Sequence, residues 1–280
     1  MKACSVERVT FAESWEEFFR KVGLNSFGDF YGYPGGARIG ENQRRNVYRL
    51  AFGESPDEKV FYIKRFKKPH LKDILSARCN FGSLTSQAGV EWGNANMLLQ
   101  NSIDTYKPAS MGERTICGIE RNSFIITEQL KSACMLDFVV KKWQTLERYQ
   151  QDRIVTAMAQ LARKAHKANI SLQDLYIWHV LIDEDGLEDD CRLSVIDLHR
   201  MLRNVKDPNK KIMDIAALYW SMSGDYFDDG HKDLLITAYA ADGCAGGKEN
   251  ILRKIRKRAR TLDNRRNLRR HYEKAKTVSA

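Results

Sequence analysis

The chain contains no apolar run approaching the ~20 residues that a bilayer-spanning helix needs, so no membrane-embedded segment is expected. Its opening, Met1-Lys2-Ala3-Cys4-Ser5-Val6-Glu7-Arg8, lacks the apolar stretch of a secretory leader. The six cysteines are scattered and form no Cys-x-x-Cys pair, which removes the usual zinc and redox spacings. Reduced thiols in a cytoplasmic protein are expected. Internal repeats and low-complexity linkers are also missing. With 43% hydrophobic and 29% charged residues, the 280-residue chain has ordinary globular composition. Its length suits one large domain or two lobes.

Net charge is missing from most of the chain and concentrated at one end. Residues 251–276 hold 12 Lys or Arg against Asp263 and Glu273, which accounts for the whole net charge of +10. The remaining 34 bases and 34 acids cancel. The body is neutral and the tail is a polycation.

The front half reads as strand-rich. Ser14 can cap a short helix that places Trp15, Phe18, Phe19 and Val22 on one face. A turn-rich stretch runs from Gly28 to Gly36. Strands are expected at Asn46 to Phe52 and Val60 to Phe66, joined by a Gly53-Glu54-Ser55-Pro56-Asp57 hairpin. Residues 84–100 read as a helix despite Gly89 and Gly93, and Ser123 to Thr127 as a buried strand. The back half is helical. Ile154, Met158, Leu161 and Ala165 recur at helical spacing, and Ile212 to Trp220 reads as a buried helix. Between these lie two short strands, Val180 to Ile182 and Leu193 to Ile196, joined by a solvated acidic loop, Asp183 to Asp190. This predicts an α+β fold of two lobes, 1–130 and 131–280.

Four residues fall in a telling order: Lys64, Glu91, Asp174, Asp197. Lysine, glutamate and two aspartates in that sequence is how a kinase-like phosphotransferase lays out its chemistry. Phosphoryl transfer is mostly positioning and charge neutralisation, and needs a cation on the nucleotide phosphates. Lys64 lies mid-strand, with Tyr62 and Phe66 on the same face by alternation; a surface lysine in a basic patch is the plainer reading. Glu91 is the only acid between Asp73 and Asp104, so a helix glutamate that pairs with Lys64 must be this one. It can equally be a solvated helix residue. Asp174 follows a long helix and precedes a strand, where a carboxylate can take the acceptor hydroxyl's proton. His179 can bond Asp174, ligate a metal, or sit in the core beside Trp178. Asp197 ends a short apolar strand, placed either to bind magnesium on the phosphates or to serve as a cap. Arg200 and Arg203 can receive an acidic or phosphorylated substrate. The segment Ala37 to Arg45 has one central glycine, Gly40, where a nucleotide loop commonly has three. Glu128 to Leu130 stand where a two-lobe kinase has the hinge that holds adenine.

Asp174-Leu175-Tyr176-Ile177-Trp178-His179 and Ile196-Asp197-Leu198-His199-Arg200 resemble motifs of the bacterial lipopolysaccharide kinase family, which includes the core heptose kinases. The likeness runs from about residue 35 to about 265. It implies a protein-kinase-like fold, ATP with Mg2+, and phosphorylation of a heptose hydroxyl in the lipopolysaccharide inner core. Carried over, Lys64 holds the phosphates, Glu91 orients Lys64, Asp174 is the base and Asp197 binds metal, while His179 matches the family pattern. Asp214 braces the catalytic loop. The family's usual His-Arg-Asp reads Leu172-Gln173-Asp174 here. Only 16 residues separate Asp197 from Asp214, too few for a peptide-docking activation segment, which favours a glycan or other small acceptor.

In the tail, Ile251, Ile255, Ala259 and Leu262 share a helical face, with Leu268 and Tyr272 continuing it after a break near Asp263-Asn264. A basic amphipathic helix suits an anionic inner leaflet and a lipid-linked core oligosaccharide acceptor, hence a peripheral protein on the cytoplasmic face of the inner membrane. Nucleic acid is the weaker partner, since neither a reading helix nor zinc spacing accompanies the charge. The competing functional readings are a kinase of another small acceptor, such as a Kdo sugar or aminoglycoside, and a nucleotide-binding pseudokinase.

Overall fold

Alternating residues on neighbouring strands, each with one face to bury, build the first of two units into which the chain divides. The computed structural model describes residues 5–187, 190–241 and 247–279. One unit holds the residues up to Met97 together with Tyr106–Leu130, and the other holds Leu98–Thr105 and the residues from Lys131 onward.

The first unit comprises β1 (Ser5–Phe11), α1 (Glu16–Lys21), α2 (Phe27–Gly32), β2 (Ala37–Asn42), β3 (Arg45–Phe52), β4 (Lys59–Lys67), α3 (Leu71–Phe81), α4 (Gln87–Gln100) up to Met97, β5 (Pro108–Ile116) and β6 (Ile119–Glu128). The strands form one antiparallel sheet in the order β1-β5-β6-β4-β3-β2. The period of two along β4 gives it two distinct faces. Phe61 and Ile63 point into an aromatic core with Phe19, Phe27, Phe30 and Phe124. Arg65 shares that face and donates to the carbonyls of Phe30 and Tyr33, at 3.2 and 2.7 Å. Lys64 occupies the opposite face.

Three expectations change here. The turn-rich stretch after residue 26 contains α2, held by a capping box in which Ser26 and Asp29 satisfy each other's backbone. Two amide donors, from Ser26 and Asn25, hold the Asp29 carboxyl below its usual range. Ser14 does not cap α1: Trp15 takes the N-cap position without a side-chain cap bond, and its indole N–H instead donates to Glu128 Oε1 at 2.6 Å. The helix ends at Lys21, so Val22 is exposed rather than part of the apolar face. Gly89 and Gly93 do not break α4, as expected, and a Cβ at Gly89 would lie 2.9 Å from Thr85 Cγ2.

The second unit comprises β7 (Ala133–Cys134), α5 (Met135–Lys142), α6 (Arg148–Lys167), β8 (Val180–Ile182), β9 (Leu193–Val195), α7 (Pro208–Ser221), α8 (Asp229–Ala240), α9 (Gly247–Asp263) and α10 (Leu268–Ser279). The three strands pair antiparallel in the order β7-β8-β9. The α6 residues Ile154, Met158, Leu161 and Ala165 are buried, as their spacing predicts. In the loop joining β8 and β9, residues 188 and 189 lie outside the described residues. Cys79, Cys117, Cys134 and Cys191 are free thiols; Cys4 and Cys244 lie outside the described residues.

The tail differs from the expectation in one physical respect. Ile251, Ile255, Ala259 and Leu262 are all buried, and the last two join Tyr176, Ala217 and Trp220 in one cluster. The apolar stripe of α9 is therefore spent inside its own unit, leaving the basic face exposed. Among the described residues, no helix is long and apolar enough to cross a membrane.

Candidate active site

In the first unit, β4 lies between β3 and β6, so Lys64 stands opposite Val47 and Ile125 in the sheet interior. Its side chain is 13% exposed and its ammonium forms an ion pair with Glu91 of α4, which is 2% exposed. The other Glu91 oxygen accepts from the Tyr106 hydroxyl at 3.2 Å. Phe66, on the same face as alternation predicts, places its ring centroid 5.6 Å from the ammonium. A buried pair of this kind fixes position more than it adds stability.

The helix carrying Glu91 is anchored at its N-terminus. The Gln87 amide donates to Glu120 Oε2 at 2.9 Å, and the Ala88 amide to Ser123 Oγ at 3.2 Å. Burial pushes the Glu120 carboxyl up to about 7.

The segment from Ala37 to Arg45 is the β2–β3 hairpin, with Gln43 and Arg44 at its turn. Gly40 pairs with Val47 beside a register shift. Arg44 donates to the Lys68 carbonyl at 2.7 Å. At the end of β6 the Glu128 carboxylate is engaged by Trp15, while the amides of Glu128 and Gln129 donate to the carbonyls of Lys107 and Val60. Leu130, the last residue of this unit, is half-buried.

In the second unit the site is a short loop under several restraints. Leu172, Gln173 and Asp174 form a tight turn in which the Asp174 amide donates to the Leu172 carbonyl. Gln173 has φ +30°, a conformation that non-glycine residues adopt mainly under constraint. The constraint comes from Asp214 on α7, fully buried, which accepts from the Leu172 amide at 2.7 Å, Ser171 Oγ at 3.0 Å and His166 Nε2 at 3.0 Å. The bracing aspartate implied by the family resemblance is thus observed in geometry.

Asp174 is 11% exposed, and Arg200 Nη1 lies 3.0 and 3.1 Å from its two carboxylate oxygens. His179 Nδ1 lies 2.8 Å from the Asp174 carbonyl. A carbonyl only accepts, so Nδ1 is the donor in this contact and Nε2 is turned toward Asp197. That nitrogen is 3.8 Å from Asp197 Oδ2. Asp197 has φ +62° and ψ +60°, makes no cap bond, and receives His199 Nδ1 on Oδ1 at 3.1 Å. An aspartate tolerates this left-handed conformation better than most residues. Arg203 is half-buried, which lowers its pKa.

The structure therefore brings Lys64 and Glu91 together in one unit, and Asp174, His179, Asp197 and Arg200 together in the other. Arg200 meets the carboxylate of Asp174 directly. Sequence reasoning missed Tyr106, His166, Ser171 and His199. Only His199, two residues past Asp197, lay inside a motif already singled out. Asp197 offers the carboxylate oxygens that magnesium prefers, and His179, oriented by its contact with the Asp174 carbonyl, stands beside them.

Residues 35–239 match the family described as lipopolysaccharide kinase (Kdo/WaaP). The lipopolysaccharide core heptose(I) kinase WaaP of Escherichia coli is 31% identical over 168 residues, 58% of this chain and 63% of that protein. Its namesake from Pseudomonas aeruginosa is 34% identical over 138 residues, 47% of this chain and 51% of that protein. The chain thus spans less than two thirds of the length of these relatives. A solved structure of WaaP in complex with acyl carrier protein superposes with a TM-score of 0.66 over 96% of this chain and 99% of that one, at 24% identity. That likeness establishes the shared fold, a strand-rich first part and a helical second part.

Proposed function

We propose that this chain, which belongs to the lipopolysaccharide kinase (Kdo/WaaP) family, transfers the terminal phosphoryl group of ATP to a heptose hydroxyl of the lipopolysaccharide inner core. The observation that carries this reading is the fixed Asp174 carboxylate, set by a loop that Asp214 and His179 hold and faced by Arg200. A positioned carboxylate within reach of a hydroxyl is what a phosphotransferase asks of its base.

In this reading Lys64 holds the nucleotide phosphates and Glu91 orients Lys64. Gly40 lets the β2–β3 hairpin come close to phosphate, and the backbone from Glu128 to Leu130 meets adenine. Asp197, with His179, would hold Mg2+, which when bound neutralises phosphate charge. Arg200 leaves Asp174 for the acceptor side as the hydroxyl arrives, and Arg203 supports the same acidic substrate. The 16 residues between Asp197 and Asp214 favour a glycan over a peptide. The exposed basic side chains of α9 and α10 face an anionic inner leaflet, so the protein works peripherally on the cytoplasmic side, held by charge rather than by inserted apolar residues.

Purified protein, ATP and magnesium should phosphorylate a purified rough lipopolysaccharide acceptor. Asp174→Ala should lower the rate by about 10²–10⁴-fold with the melting temperature little changed. Wild-type transfer in that variant would remove Asp174 from the role of base.

A further inference from the structure

The aromatic residues beside Asp174 are surrounded by guanidinium groups whose purpose the reading above does not explain. Tyr176 is buried, and Trp178 stacks on it with ring centroids 4.8 Å apart and planes 11° apart. His271 of α10 stacks in turn on Trp178, at 3.9 Å and 3°. The α9–α10 segment adds two cations. The Arg266 guanidinium lies 4.7 Å from the Tyr176 ring centroid and is otherwise exposed. Arg258 projects from the middle of α9, half-buried, and its Nε is buried with no hydrogen-bond partner among the described residues.

An orphaned guanidinium donor is costly unless something completes it. Burial raises the Tyr176 phenol's pKa, and Arg266, Arg258 and Arg200 all pull against that rise, while Asp174 adds to it. The three arginines therefore share one electrostatic neighbourhood with the carboxylate of Asp174. Burial lowers the His271 pKa, and the neighbouring Arg266, His179, Lys274 and Arg270 lower it further. A positive field built around a carboxylate base, with one donor uncommitted, fits a second anion.

Resting on the kinase reading above, we propose that Arg258 and Arg266, together with Arg200, form an anion subsite that grips a carboxylate or phosphate already present on the acceptor, next to the hydroxyl that Asp174 activates. Arg258 supplies the buried donor, Arg266 closes over the Tyr176 face, and Arg200 moves from Asp174 to the incoming anion. Acceptor choice then depends on a charge near the hydroxyl as well as on the sugar. The planar, forked guanidinium suits both anions, which is why arginine rather than lysine at these positions matters.

The test uses the full chain and three acceptors: native rough lipopolysaccharide, the same material with carboxylates reduced to alcohols, and the same material stripped of phosphate. Arg258→Gln and Arg266→Gln should each raise KM for the native acceptor about tenfold, the loss of one charge-assisted bond, while KM for ATP stays in place. On whichever modified acceptor lacks the recognised anion, wild type and variants should have the same KM, which identifies the anion as carboxylate or phosphate. Equal KM values on the native acceptor, or an undiminished difference on both modified ones, would overturn the proposal. Inorganic phosphate titrated against tryptophan fluorescence gives a readout independent of transfer. Saturable quenching that weakens in both variants supports the subsite even where no glycan is phosphorylated, a result that would defeat the kinase reading alone. Quenching equal in wild type and variants counts against the subsite. Arg258→Lys, which keeps the charge but not the fork, should recover part of the phosphate response and separate recognition from packing.

Discussion

The two units hold their chemistry in opposite ways. In the first, a lysine and a glutamate 27 residues apart are buried against each other by a sheet and a docked helix. In the second, Asp174 sits on a loop a few residues long, held in shape by its amides donating to Asp214 and Ser221 and by His179 donating to its carbonyl. A buried charge is tolerable only while its partner stays, so disturbing the first arrangement endangers the fold. Disturbing the second removes the proposed base while most of its braces persist. The contrast teaches where each kind of substitution should register, in stability or in turnover.

The sharpest way to break this contrast is Lys64→Met. It leaves the Glu91 carboxylate buried without its cation, the Tyr106 hydroxyl still donating to it, and should cost roughly 3–5 kcal/mol in urea denaturation. Adding Glu91→Gln should restore at least half of that loss while transfer stays absent. An unchanged midpoint in the single variant would mean that the pair carries no structural weight.

Glu120 sharpens the same comparison, since it is a second buried acid of the first unit. Its folded pKa is raised to about 7 by burial, so its contribution to stability is complete below the ordinary carboxylate range and is lost as pH rises through 7. Between pH 4 and 8 the wild type should lose roughly 3 kcal/mol relative to Glu120→Gln. Parallel pH–stability curves would show that the cap of α4 is indifferent to that charge.

The smallest effect belongs to the second unit. The buried Tyr272 hydroxyl donates to the Ser221 carbonyl at 2.8 Å and accepts from the Ser223 amide at 3.2 Å, while Ser221 Oγ accepts from the Ile177 amide. Tyr272→Phe should cost about 1–2 kcal/mol and slow transfer more than it lowers the melting temperature. A loss as large as that of Lys64→Met would erase the distinction between the units.

How far the sequence could be read follows the same division. The loop site was legible because its residues lie within two short motifs, and the charge pair because Glu91 had no competitor between Asp73 and Asp104. Their contacts with Tyr106 and His166 depend on tertiary packing and leave no local signal. The edge strand β1 has mostly exposed side chains, so no alternation marks it. Helix α2 was hidden because glycine and proline around it read as turns, although Ser26 and Asp29 already carried its capping box. The α9 stripe was visible as a periodicity, but a periodicity does not say whether a bilayer or a neighbouring helix covers it.

The central claim is tested most directly by mass spectrometry of lipid-linked core sugars from cells with and without this protein. The account predicts one additional phosphate on an inner-core heptose, present with the wild type and missing when Asp174→Ala replaces it. Identical heptose phosphorylation in all three strains, or a phosphate found on another sugar, would contradict it.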